Sequence, residues 1–157
     1  MLLTYFTFLV SIACSRVQAD CKTTPSDARW PSYDACRALN ASIDGALVRT
    51  VPAGSGCYTN GSFDSAIPCM VAEDGWNTTD FHAELPESVD FPLFANYTCV
   101  PPNQTGYVNG SGCTIGALPA YVVNSTDGRA IALAMHWAAE RNLRIVVKGT
   151  GHEYNGR

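Results

Sequence analysis

Apolar residues change their spacing along this chain. From position 20 to about 113 they come in short groups broken by turn formers, and from 114 onward in longer, regularly spaced runs. In the first stretch Pro31 reads as the opening of a helix that runs to about Ser42. Trp30 stands at its start, and Tyr33, Cys36 and Leu39 recur on one side. Gly45 marks the exit, Ala46 to Val51 reads as a short strand ended by Pro52, and Pro68 opens another short helix toward Trp76. The Gly, Asn and Pro content from Asn96 to Cys113 predicts a loop, pinned by a bridge between or beyond Cys99 and Cys113. The aromatic side chains here are read as packing rather than ligand contacts.

The second stretch predicts strand, helix, strand and glycine-rich loop. Ala120 to Val123 is a short β-rich run after Pro119. Asn124 to Asp127 supplies capping chemistry, and a helix follows from about Thr126 to Asn142. Ile131, Met135 and Ala138 form its apolar stripe, widened by Ala130, Leu133, Ala134 and Trp137. Arg144 to Lys148 reads as a buried β-branched strand, and Gly149 to Gly156 as the loop beyond it. A β-α-β unit of this length implies parallel or mixed strands with a right-handed crossover. The expected fold class is α+β: an α/β-like β-α-β start over 114–157, preceded by a disulfide-rich, loop-rich segment over 20–113.

Composition narrows the function classes. Apolar residues make up 46% and charged residues 15%, which is globular, and the net charge of −4 without a Lys/Arg cluster offers no footprint for nucleic acid or anionic membrane. Leu2 to Ala13 is apolar but too short to span a bilayer, and Val17-Gln18-Ala19 offers a cleavage site, so residues 1–19 read as a signal peptide. The rival, a lipoprotein acylated on Cys14, fits poorly because Ser11 stands where a large aliphatic belongs. Cys21, Cys36, Cys57, Cys69, Cys99 and Cys113 remain after cleavage, enough for up to three disulfides in an exported chain. Their spacing does not suit zinc. N-glycosylation sequons occur at Asn40, Asn60, Asn77, Asn96, Asn103, Asn109 and Asn124, which points to a eukaryotic secretory route and an extracellular protein.

The chemistry sits in the last loop. Glycines leaving a strand expose successive backbone N–H groups, a concave surface suited to phosphate. Gly149, Gly151 and Gly156 free this backbone, although the spacing is neither a P-loop nor the dinucleotide fingerprint. His152 lies inside the loop, and a neutral imidazole is a competent nucleophile near pH 7. His82 and His136 lack such a setting and are read as structural or exposed.

Pro119 to Val123, the alanine-rich helix and Arg144 to Gly156 together resemble the start of the PCMH-type FAD-binding domain of the vanillyl-alcohol oxidase and berberine-bridge-enzyme family. Upstream, Cys21, Trp30 to Ser32, Leu39-Asn40, Val51-Pro52, Cys57 and Pro92-Leu93 resemble secreted fungal members, a branch that includes isoamyl alcohol oxidases. The resemblance implies FAD as cofactor. It implies contacts from Lys148, Gly149, Thr150, Gly151, His152, Glu153, Tyr154 and Gly156, with His152 the candidate for covalent attachment. Thr150 and Glu153 depart from the family's usual Gly and Ser. The implied reaction is oxidation of an alcohol or related small donor, with electrons passed to O2. The family's catalytic base lies further along the fold than Arg157, so no catalytic residue is assigned here. On this reading the chain is a truncated N-terminal fragment, inactive alone. The alternatives are a small secreted cysteine-rich binding glycoprotein and a structural cell-wall glycoprotein.

Overall fold

The computed structural model describes residues 21–59 and 61–151. The element order is α1 (Tyr33–Ser42), β1 (Leu47–Arg49), α2 (Cys69–Gly75), α3 (Thr79–Glu84), β2 (Tyr121–Val123) and α4 (Gly128–Glu140). Helix α1 starts where Ser32, rather than Pro31, caps it: the Ser32 hydroxyl accepts the Ala35 N–H at 3.2 Å. Leu39 and Ile43 face inward, and the chain reverses through Asp44 and Gly45 at positive φ. Asn40 Oδ1 accepts the Leu47 N–H at 2.8 Å and seats β1 beside α1.

Strand β1 pairs with β2, antiparallel, with Leu47 opposite Val123 and Arg49 opposite Tyr121. The Asp127 carboxylate caps α4 through the N–H groups of Arg129 and Ala130. That helix crosses α1 to form a small core of Leu39, Ile43 and Ala130, flanked by Ala46, Leu47, Val123 and Trp137. A second core gathers Ala53, Trp76 and Val100, flanked by Ile67, Phe81, Leu85 and Tyr107. Disulfides Cys57–Cys69 and Cys99–Cys113 brace it. The backbone crosses itself closely there, since a Cβ on Gly54 would lie 2.1 Å from the Cys99 carbonyl oxygen.

Helices α1, α2 and α4, the mixed class and the bridged loop follow the expectation; α3 was not anticipated, and four further details differ. The β-α-β unit does not form among the described residues: β2 takes β1 as an antiparallel partner, and the parallel bridge joins Leu143 to Thr23. Arg144 to Lys148 is not a strand, and Val147 is 82% exposed. A β-branched run becomes a strand only when a neighbour takes its backbone groups, and no described strand lies beside it. The buried stripe of α4 is Ala130, Ala134 and Ala138, while Ile131, Leu133 and Met135 stay exposed. Small side chains let α4 approach α1 closely, and that contact sets its rotation. Finally, Cys21 and Cys36 are unbonded; Cys36 is buried and Cys21 exposed.

Candidate functional site

The Lys148–Gly151 turn leaves the end of the described chain next to α3, whose His82 was read from the sequence as structural or exposed. His82, in the last turn of α3, is 2% exposed. Its Nε2 is 2.7 Å from the Trp76 carbonyl and its Nδ1 2.7 Å from Ser88 Oγ. A carbonyl can only accept, so Nε2 carries the proton and Nδ1 accepts from the Ser88 hydroxyl. The ring also meets Trp76 and Phe81 edge-on. Burial pushes the His82 pKa down, against the opposing pull of the Trp76 carbonyl and Asp90, while the nearby Lys148 charge adds to the depression.

Lys148 reaches the same place from the other end of the sequence. Its ammonium donates to the His82 carbonyl at 2.9 Å and to the Leu85 carbonyl at 2.7 Å. Burial lowers its pKa, and the carboxylates of Glu87 and Asp90 work against that shift. Gly149 and Thr150 are exposed, and the space where a Gly149 Cβ would stand is open. Gly151 has φ +90° and is half-buried. The described backbone therefore suits a diphosphate: exposed peptide groups, a glycine with nothing over it, and a left-handed turn that side chains disfavour. If FAD binds here, the backbone of 149–151 is what would meet its pyrophosphate, because the one cation of the turn already points at protein carbonyls.

His152, Glu153, Tyr154 and Gly156 lie outside the described residues, as do residues 1–19, expected to form a signal peptide, and Asn60. Asn77, Asn96, Asn103, Asn109 and Asn124 are exposed, whereas Asn40 is half-buried and already bonded to Leu47. An open groove of about 410 Å³, lined by Trp76, Asn77, Phe91, Leu93, Phe94 and Tyr97, lies in the bridged region and includes none of the turn residues. The link that the sequence reading missed is Lys148 with His82. Its one legible trace is Pro86, four residues after His82, which cannot donate to the His82 carbonyl.

No family model matches the chain. Whole-sequence comparison finds relatives all the same. The FAD-linked oxidoreductase sor8 of Hypocrea jecorina is 36% identical over 149 residues, 94% of this chain and 25% of that protein. The VAO-type flavoprotein oxidase VAO615 of Thermothelomyces thermophilus is 37% identical over 143 residues, 87% of this chain and 24% of that protein. The crystal structure of the VAO-type flavoprotein MtVAO615 from Myceliophthora thermophila C1 superposes with a TM-score of 0.75 at 34% identity, covering 87% of this chain and 25% of that one. This chain thus spans about a quarter of the length of the relatives it matches. Over most of its length the chain is similar, in sequence and in backbone, to VAO-type, FAD-linked flavoprotein oxidoreductases.

Proposed function

We propose that this chain is the front portion of a secreted, N-glycosylated FAD-dependent oxidase, and that its segment from Lys148 to Gly156 faces the cofactor. The observation that carries the reading is the exposed glycine backbone of 149–151, held in a fold that matches a VAO-type flavoprotein. The bridged region supplies the platform, and the amides of Gly149, Thr150 and Gly151 meet the pyrophosphate. His152 stands next along the chain as the residue for covalent attachment to the flavin. FAD bound there would supply the chemistry of an oxidase, acceptance of a hydride from an alcohol or related small donor and reoxidation by O2. Export through an oxidising compartment fits the two disulfides, and glycans fit the five exposed sequons.

A chimera tests this directly. Residues 21–157 replace the matching segment of MtVAO615, and flavin is read as fluorescence on a denaturing gel. The expected result is a flavin-loaded chimera whose band fluoresces, with fluorescence lost in His152→Ala. A folded chimera without flavin sinks the reading; fluorescence that survives His152→Ala removes only the covalent role. The 157-residue chain on its own is expected to purify without visible flavin absorbance.

A further inference from the structure

Helix α3 ends in a way that its own sequence cannot complete. Continued past Glu84, it would need the N–H of residue 86 for the His82 carbonyl, and residue 86 is proline. The donor arrives from a residue 66 positions away: Lys148 Nζ lies 2.9 Å from His82 O and 2.7 Å from Leu85 O. Leu85 O also accepts the Ser88 N–H at 3.0 Å. The ammonium therefore closes the same turn that carries Ser88 to the His82 ring. Along its stem, Lys148 is covered by its own loop, since a Cβ on Gly151 would stand 2.8 Å from Lys148 Cε. The side chain is thus held at its tip by the carbonyls after α3 and along its length by the turn it introduces.

We infer that Lys148 is a positioning residue, whose ammonium pins the 149–151 turn to the C-terminal end of α3 and sets the angle at which that turn leaves the bridged region. Phosphate contact is left to the backbone amides. That the pinned turn faces FAD rests on the reading above; the pin itself does not. It also explains why a lysine stem is needed: the charge must cross the gap between the turn and the carbonyls while its methylenes lie under Gly151.

Lys22 and Lys148 are the only lysines in the chain, and Lys22 is exposed, which provides an internal standard. In competitive acetylation of the 157-residue chain with acetic anhydride, read by peptide mass spectrometry, Lys148 is expected to react at least about tenfold more slowly than Lys22, as two hydrogen bonds to its ammonium require. Equal rates overturn the inference. Lys148→Met keeps the stem and removes the charge. In that variant exchange of the Ser88 amide, which bonds the Leu85 carbonyl that Lys148 also holds, is expected to rise about tenfold while α1 and α4 keep their protection. Unchanged exchange at Ser88, or a rise spread over all elements, overturns it. Should Lys148→Met not fold, the labelling of the unaltered chain still decides. Neither measurement involves flavin, so a lost pin leaves the flavin reading standing, and a flavin-free chimera leaves the pin standing.

Discussion

Ile43 and Val147 are both β-branched aliphatics, yet Ile43 is 1% exposed and Val147 82%. Ile43 belongs to a region that supplies its own partners. Helix α1 packs on α4, β1 finds β2, and two disulfides brace the neighbouring core. The run from Arg144 to Val147 has the composition of an inner strand and no described strand to lie against. Periodicity reports what a segment is suited to, and burial is decided by what stands beside it. The two regions meet at Lys148, where the unpaired run ends on the α3 carbonyls.

The sharpest way to break this contrast is to remove the braces. Cys57–Cys69 and Cys99–Cys113 close loops of sequence separation 12 and 14. Loops of that length are worth about 3 kcal/mol each through the unfolded chain. Replacing each pair with serine is expected to lower the urea midpoint markedly, followed by tryptophan fluorescence. Little change would mean that the bridged region is held by its apolar packing alone. Next in size is Ile43→Ala, which opens the core with Leu39 and Ala130 and should cost about 3 kcal/mol in the same assay.

His82 gives a smaller and pH-dependent effect. It is neutral in the fold, and burial lowers its pKa below the ordinary 6.5. The unfolded chain therefore takes up a proton first as the pH falls through 6.5, and the folded state does not follow until its own lower pKa is reached. Stability should hold above 6.5 and decline below it, by up to about 1.4 kcal/mol per pH unit, until the folded histidine titrates as well. His82→Gln should lower overall stability and flatten this slope. A slope unchanged in His82→Gln would assign it to other groups.

Much of the fold was legible because local rules fixed it. Helices α1, α2 and α4 start within two residues of Pro31, Pro68 and Thr126, and the loop after Asn96 is pinned by Cys99 and Cys113. What failed was long-range. Whether Tyr121–Val123 pairs with the strand before it or the run after it depends on a partner that no local pattern names, and β1 took it. The stripe of α4 was misplaced for a related reason. Ile131 and Met135 are the more apolar, but close approach to α1 selects Ala130, Ala134 and Ala138. At the candidate site the glycines were readable as a turn, whereas the bond from Lys148 to the His82 carbonyl spans 66 positions and showed only as Pro86.

The smallest expected effect is also the one that tests the comparison from its other side. Val147→Ser removes an apolar side chain that in a buried strand would contribute about 1.5–3 kcal/mol. Here the side chain is 82% exposed, so the change should fall within about 0.5 kcal/mol in urea unfolding of this chain. The same substitution in the MtVAO615 chimera should cost clearly more if the added chain covers the run. Val147→Ser neutral in both settings would leave the run a surface segment whose β-branched composition serves no packing. A large loss in this chain alone would show that residues 144–147 already have a partner, and the difference drawn between Ile43 and Val147 would disappear.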